Sequence, residues 1–126
     1  MILVDTSIWV DHLRFADKML IGFLEAGRVL AHPFVIGELA LGNLRQRGLV
    51  LNALADLPQA SVATDLEVLH FIDHQSLFGF GIGYVDAHLL VAARLTAGAS
   101  LWTRDKRLHE AAGRLDLATT LPKAYP

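Results

Sequence analysis

Four carboxylic acids lie in apolar stretches of this chain, where an unpaired negative charge is costly. Asp5 ends the first apolar run of the sequence, and Glu38, Asp86 and Asp105 occur in similarly apolar settings. Removing an isolated carboxylate from water costs several kcal/mol unless another group pairs with it. Because the four acids fall at predicted strand ends or on apolar helix faces, we expect them to share one pocket.

Such a pocket is unstable without a cation. Two carboxylates about 5 Å apart repel each other by roughly 3 kcal/mol at an effective dielectric constant of about 20. Four of them would exceed what a marginally stable domain tolerates, so either some are protonated or a metal ion binds. Oxygen ligands favour Mg²⁺ or Mn²⁺, and Mg²⁺ is usually held by only one or two carboxylates. The chemistry that follows is the attack of metal-activated water on a phosphodiester.

Each acid also has a simpler interpretation. Asp5 and Asp105 are suitable N-caps for the helices that follow them. Asp86 falls in a first helical turn, where the helix dipole favours a negative charge, and Glu38 could pair with Arg45 further along its helix. These interpretations stay open for each residue alone. They weaken when taken together, because all four positions point toward one end of a sheet.

Strand-like and helix-like segments alternate along the chain. Short apolar runs bounded by polar turns indicate buried parallel strands, and apolar residues at helical spacing indicate amphipathic helices. We predict strands at residues 2–4, 28–31, 61–63, 99–102 and 115–118, and helices at residues 8–14, 18–26, 33–48, 49–56, 65–74, 84–97 and 106–113. This order indicates an α/β domain around a parallel sheet, in which ligands bind at the carboxyl ends of the strands.

The segment after the first strand carries two further polar side chains. Thr6 and Ser7 are both good N-cap types, and either one is a candidate to begin the first helix. Asp5 and Asp105 fall at or just beyond the carboxyl ends of predicted strands, which is where a ligand of such a sheet would lie.

Composition limits the class of protein. The 126 residues fit a single domain, 1–126, and a hydrophobic content of 53% excludes disorder. The apolar stretches are shorter than the about 20 residues of a membrane span, and there is no signal-like segment. The absence of cysteine excludes disulfides and thiolate metal sites, and it is consistent with a cytoplasmic protein. A net charge of -2 means that a polyanion would need a local basic patch or a metal.

Two groups of residues near the proposed pocket remain open to more than one interpretation. A basic stretch follows the fourth acid and is either a solvated helix face or a rim that contacts phosphate; it comprises Arg104, Lys106, Arg107 and Arg114. Three aromatic residues flank the lead-in to the third acid, and core packing is favoured for most of them, with stacking on a base as the alternative for one. They are Phe78, Phe80 and Tyr84.

Four motifs together resemble those of a PIN domain. They are Asp5-Thr6-Ser7, Ile36-Gly37-Glu38-Leu39, Gly83-Tyr84-Val85-Asp86-Ala87-His88-Leu89 and Thr103-Arg104-Asp105. The small size and the Gly-Ile-Gly-x-x-Asp lead-in resemble the VapC toxins of bacterial toxin–antitoxin pairs. The resemblance covers essentially the whole chain, and its specificity comes from the four acids in this order, since any one motif is weak.

The resemblance implies a metal-dependent endoribonuclease on a three-layer α/β/α sandwich with a central, mainly parallel sheet. It implies Mg²⁺ or Mn²⁺ as the cofactor, an RNA substrate, a homodimer, and inhibition by a VapB-like antitoxin whose tail inserts a basic side chain among the acids. Asp5 and Asp86 would be the main metal ligands, with Glu38 and Asp105 completing the pocket directly or through water. Side chains that orient ligands or the scissile phosphate would be Thr6, Ser7 and Thr103, with Arg104 at the phosphate-contacting rim.

Two other functions compete with this one. A phospho-accepting receiver domain is also an α/β domain with an acidic pocket, but it needs adjacent acids after its first strand and a Lys after a late strand. Here Asp5 is followed by Thr6 and Ser7, and Lys106 lies behind Asp105. A non-catalytic PIN-like module that binds RNA or protein would keep the fold without the reaction, and an activity assay separates it from a nuclease.

Overall fold

The sheet at the centre of the molecule has three short parallel strands. A computed structural model describes residues 1–122, in which β1 (Ile2–Val4) lies between β2 (Val29–Leu30) and β3 (Ser100–Trp102). Leu3 pairs with Leu30 on one side and with Leu101 on the other. The carboxyl ends of β1 and β3 therefore lie side by side, and Asp5 comes immediately after the first of them.

Helices connect and cover these strands. They are α1 (Thr6–Arg14), α2 (Lys18–Glu25), α3 (Pro33–Ala40), α4 (Arg47–Ala55), α5 (Asp65–His74), α6 (Tyr84–Leu95) and α7 (Lys106–Arg114). Helix α1 packs on α3, α5 packs on α6, and α6 packs on β3. The architecture is the predicted α/β/α sandwich around a parallel sheet. None of the helices described between residues 1 and 122 has the length and apolar character to cross a membrane.

Three predicted segments differ from the structure. Residues 61–63 form no strand, because the Ser61 N–H donates to Thr96 Oγ1 (2.9 Å) and the sheet edge is met instead by a single bridge between Gln59 and Ala31. The predicted strand at residues 115–118 is reduced to one bridge between Ala118 and Leu101. The helix predicted over residues 33–48 ends at Ala40, ahead of the turn at residues 41–46.

The helix that carries Asp86 lies in the core. All three residues of β1 are buried, and so are residues 87–93 of α6. A helix that is buried on nearly every side has little freedom to tilt or slide, because protein interiors are packed at crystal-like density. The backbone that presents Asp86 is therefore rigid.

His32 makes the fold sensitive to acid. The ring is fully buried, its Nδ1 accepts a hydrogen bond from the Phe34 N–H (3.0 Å) at the start of α3, and its Nε2 has no partner within residues 1–122. Burial, together with the nearby His88, lowers the pKa of His32 from 6.5 to about 4. The neutral ring therefore belongs to the folded state, whereas the unfolded chain takes up the proton as the pH falls below about 6.5.

We expect the free energy of unfolding to fall by about 2–3 kcal/mol through this group as the pH drops from 6.5 toward 4. A His32→Asn variant keeps an acceptor at the N-cap and removes the titration, so its stability should depend less on pH. Urea unfolding at pH 7 and pH 4.5 measures the difference, with the exposed His70→Asn as control. If the wild type and His32→Asn lose stability in parallel, the titration of His32 is not responsible.

Candidate active site

Asp5 is held at the carboxyl end of β1 by two hydroxyl groups. Only 6% of its surface is exposed, and its Oδ2 accepts hydrogen bonds from Ser7 Oγ (2.8 Å) and Thr103 Oγ1 (2.7 Å). Its Oδ1 accepts no hydrogen bond from any other residue between 1 and 122. Asp5 occupies the N-cap position of α1 without making a side-chain cap, so the prediction that Thr6 or Ser7 caps this helix is wrong. The carboxylate is instead oriented by the hydroxyls, with one oxygen left free.

Thr103 joins the ends of two strands. Besides donating to Asp5, its Oγ1 accepts a hydrogen bond from the Asp105 N–H (3.1 Å) and lies 3.4 Å from Ser7 Oγ. Asp105 in turn accepts a hydrogen bond from the Leu108 N–H (2.9 Å), which confirms the prediction that it caps the helix that follows. The backbone of the turn after β3 is thus fixed relative to the end of β1.

Glu38 reaches the same region from α3. Its Oε1 accepts a hydrogen bond from Thr6 Oγ1 (2.7 Å), across the packing of α1 on α3. Glu38 is exposed, while Val35 and Leu39 beside it are buried, so the carboxylate lies at the edge of the apolar face rather than within it. The alternative pairing with Arg45 is absent from the ion pairs formed within residues 1–122.

The pKa of Asp86 is raised by burial and by the charges of the other three acids. Asp86 is half-buried in the first turn of α6, and its Oδ2 accepts a hydrogen bond from the Gly83 N–H (3.1 Å). Burial raises the pKa of Asp86, and the negative charges of Asp5, Asp105 and Glu38 raise it further, against the lowering effect of the Gly83 bond. The charges of the other three acids singled out from the sequence therefore act on Asp86, as expected if the four share a candidate site.

The chemistry of this donor set suits a hard divalent cation. All four side chains offer only carboxylate oxygen, which Mg²⁺ and Mn²⁺ prefer, and a cation would relieve the repulsion of Asp86 by the other three acids. Within residues 1–122, no three His, Asp or Glu side chains are close enough to enclose a metal without rearrangement. A cation with several water ligands does not need such a cage, since one or two carboxylates suffice for Mg²⁺.

An Asp86→Asn variant should therefore melt at a higher temperature than the wild type in EDTA at pH 7. A carboxyl whose pKa is raised on folding destabilises the folded state above its unfolded pKa of 3.8, and the amide removes that charge while still accepting from Gly83. We expect a rise on the order of 2–5 °C at pH 7 that shrinks toward pH 4. Calorimetry at both pH values tests this, with the exposed Asp56→Asn as control. A lower melting temperature at pH 7 would contradict the repulsion.

The basic residues near the site have different surroundings. Arg104 forms ion pairs with Asp11 and Asp17, and its backbone N–H donates to Ser7 Oγ (3.1 Å). Arg114 donates to the carbonyl oxygens of the turn after α5 and lies over Phe80. Lys106 and Arg107 are exposed, and neither forms an ion pair within residues 1–122. The predicted basic rim thus contains two cations with internal partners and two without.

Asp65 contacts two residues near Asp86, a role that the sequence did not reveal. It resembles an ordinary surface acid at the start of α5, yet it accepts a hydrogen bond from Tyr84 OH (2.8 Å) and lies 3.1 Å from His88 Nε2. Tyr84 and His88 precede and follow Asp86 by two residues, so this contact anchors the turn that carries the carboxylate. The spacing of Tyr84 and His88 by four residues was the available signal, since it places both side chains on one helix face.

Comparison with known proteins finds relatives over almost the whole chain. The profile of the PIN domain family matches residues 2–114. The chain is 50% identical over 118 residues to a protein called Ribonuclease VapC32 from Mycobacterium tuberculosis strain CDC 1551 / Oshkosh, an alignment that covers 94% of this chain and 95% of the relative. The same identity and coverage hold for Ribonuclease VapC32 from strain ATCC 25618 / H37Rv.

Proposed function

This chain belongs to the PIN domain family, and from that premise we propose that it is a VapC-type toxin endoribonuclease of a type II toxin–antitoxin system. The reaction is hydrolysis of RNA phosphodiester bonds with Mg²⁺ or Mn²⁺ as cofactor. The observation that carries the proposal is the environment of Asp86, whose pKa is raised by burial and also by the negative charges of Asp5, Asp105 and Glu38. Similarity to Ribonuclease VapC32 over 94% of the chain supports RNA as the substrate.

In this proposal all four acids help to bind the cation. Asp5 and Asp86 are the main ligands, and Glu38 and Asp105 complete the pocket directly or through water. When bound, the divalent cation activates a water molecule for attack and stabilises the leaving oxygen of the phosphodiester.

The hydroxyl groups of the site orient these acids and the scissile phosphate. Ser7 and Thr103 hold Oδ2 of Asp5, which fixes the direction of its free Oδ1, and Thr6 holds Glu38. Arg104 contacts phosphate through the exposed part of its guanidinium, while Asp11 and Asp17 keep the side chain in place. Pre-set side chains of this kind lower the cost of reorganisation during the reaction.

The proposal extends to partners. A cavity of about 650 Å³ lies between the ends of α1 and α3; Glu38 lines it, and so does Phe15, which is 84% exposed. Within the proposal, a VapB-like antitoxin covers this apolar surface and inserts a basic side chain among the acids. The toxin is a homodimer, and it acts on RNA in the cytoplasm.

Cleavage of a mixed RNA pool by the purified protein tests the function. We expect cuts with Mg²⁺ and with Mn²⁺ and none with EDTA, because in the proposed mechanism the cation activates the attacking water. Gel filtration establishes that the protein is folded and free of antitoxin. Cleavage that persists in EDTA would overturn the metal-dependent mechanism.

One observation favours a second candidate, a non-catalytic PIN-like module that binds RNA or protein. No three potential ligands are already gathered around a metal position within residues 1–122. For this candidate the same assay gives no cleavage under any metal condition, although the protein still binds RNA or a protein partner.

Two exposed cations next to Asp105 should contribute to RNA binding. We expect the double variant Lys106→Gln/Arg107→Gln to bind single-stranded RNA more weakly and to depend less on salt, by about 0.7 in the slope of log K against log[salt] for each phosphate that is no longer neutralised. Fluorescence anisotropy between about 50 and 300 mM KCl, in an Asp5→Asn background that prevents cleavage, measures the slope. Arg28→Gln, at the opposite end of the sheet, is the control. If the slope equals that of the control, Lys106 and Arg107 are ordinary solvated surface residues that do not contact the RNA.

A further inference from the structure

The segment that leads into α6 lines a small, half-open apolar pocket, which we call the glycine-loop pocket. Residues 77–84 form most of its wall, and Ile72 of α5 and Ala87 of α6 complete it around a volume of about 240 Å³. This is smaller than the roughly 300–1,000 Å³ of sites for drug-sized ligands, and it suits a single ring system. Two aromatic rings at its wall are open to solvent, with Phe78 69% exposed and Tyr84 45% exposed.

The pocket shares a residue with the acidic site. Gly83 lines the pocket, and its N–H donates to Asp86 Oδ2 at 3.1 Å. A ligand in the pocket would therefore lie next to the carboxylate that the proposed function assigns to the metal and the scissile phosphate.

A cation lies against the same loop. The guanidinium of Arg107 rests against Gly81 so closely that a Cβ at this position would be 2.5 Å from Arg107 Nη1. Gly81 also has φ of +84°, a conformation that side chains other than glycine rarely adopt. The absence of a side chain at residue 81 thus lets the Arg107 guanidinium lie against a residue of the pocket wall, where it can reach the phosphate attached to a bound ring.

Arg114 stabilises the conformation of the loop at residues 75–80. Arg114 donates to the carbonyl oxygens of Gln75 (2.6 Å) and Ser76 (3.5 Å), and its guanidinium lies 5.7 Å from the centre of the Phe80 ring. Phe80 is partly buried and packs against the hydrophobic core. The ring of Phe78 makes no aromatic or cation–π contact within residues 1–122. Phe78 is therefore free to stack on a ligand without repacking of the loop.

We propose that the glycine-loop pocket binds a nucleobase of the RNA next to the scissile phosphate, with Phe78 as its stacking platform. The proposal rests on the proposed function and adds the element that selects the cleavage position. A base unstacked from single-stranded RNA offers an aromatic face to Phe78. The N–H groups of Gly79, Gly81 and Ile82 donate to no acceptor within residues 1–122, and they are available to the edge of the base.

A random RNA library tests the selection of the base. The RNA carries randomised positions, the protein cleaves it with Mg²⁺, and sequencing of the new ends gives the base preference at each position around the cut. We expect the preference at one flanking position to weaken by about 5- to 100-fold in Phe78→Ala and to persist in Phe78→Trp, because tryptophan restores the stacking surface. Leu49→Ala, an equally exposed apolar residue on α4, is the matched control.

A binding cycle then tests the contact itself. The Asp5→Asn protein, with and without Phe78→Ala, is titrated with a short RNA of the preferred sequence and with the same RNA lacking the base at that position. We expect base removal to weaken binding by about 5- to 100-fold when Phe78 is present and by less than about twofold when it is absent.

Three other outcomes have distinct meanings. Equal effects of base removal in both proteins, with cleavage intact, overturn the pocket and leave the nuclease standing. Dissociation of a dimer in Phe78→Ala, seen by sedimentation and without loss of base preference, assigns the pocket to a second copy of this chain and also overturns the proposal. If the wild-type protein cleaves no RNA with either metal, the proposed function fails, and the pocket proposal fails with it.

Discussion

Asp5→Asn should abolish metal-dependent RNA cleavage, with a loss of at least about 100- to 1,000-fold. The reason lies in the two hydroxyls that hold this side chain. Ser7 and Thr103 both donate to Oδ2 of Asp5, so in the variant they will hold the amide oxygen and turn the NH₂ group to the place of the free Oδ1. The site then presents hydrogen-bond donors where a cation needs an oxygen ligand.

The same variant should remain folded. Asparagine has the shape of aspartate and keeps both hydroxyl contacts, so the cost of burial at this 6% exposed position is not increased. Initial cleavage rates with Mg²⁺ and a thermal melt in EDTA measure the two effects. Asp56→Asn, a change of the same type at an exposed position at the end of α4, should retain full activity. Undiminished cleavage by folded Asp5→Asn would remove Asp5 from the mechanism.

The parts of the site that the sequence predicts are those that depend on local patterns. The three strands follow from short apolar runs, and Asp105 is recognisable as an N-cap from its place before α7. Asp86 is predicted because an acid stands within an otherwise apolar helix pattern, and this helix is in fact buried along residues 87–93. Periodicity therefore predicts the elements, and a charged residue within an apolar helix pattern points to the candidate site.

The remaining features depend on contacts between distant parts of the chain. Ser7 and Thr103 are separated by 96 residues, and only the parallel pairing of β1 with β3 brings their hydroxyls to the same carboxylate. The partners of Arg104 come from α1 and the turn before α2, which no pattern around Arg104 indicates. Asp65 resembled a surface residue for the same reason, since its role emerges only when α5 packs on α6.

Edge strands were predicted less well for a related reason. Residues 61–63 have an apolar centre that suits a strand, but a strand also needs an open sheet edge in register. In the structure, Gln59, two residues earlier, forms the bridge to the sheet edge at Ala31. The Ser61 N–H instead donates a hydrogen bond to Thr96. The conformation of residues 61–63 therefore could not be predicted from residue type, because it depends on hydrogen bonds to distant parts of the chain.

Thr103→Val should reduce cleavage by about 10- to 100-fold, chiefly because the Thr103 hydroxyl orients Asp5. The residue is buried, and valine has nearly the same shape as threonine, so the change is chiefly the removal of one oxygen. That oxygen donates to Asp5 and accepts from the Asp105 N–H. Without it, Asp5 loses one of its two orienting donors, and the turn that carries Asp105 loses its tie to β1.

Metal affinity separates this positioning role from simple destabilisation. We expect the Mg²⁺ concentration for half-maximal cleavage to rise, together with a decrease of about 1–3 kcal/mol in the free energy of unfolding. Thr103→Ser keeps the oxygen and should recover most of the activity and the metal affinity, whereas Thr120→Val, at an exposed position, should change neither. If Thr103→Val lowers stability while the Mg²⁺ dependence and the rate at saturating metal stay at wild-type values, the hydroxyl supports the fold alone. If the rate falls and serine restores it, the orientation of Asp5 by a residue at the end of β3 is part of the catalytic apparatus.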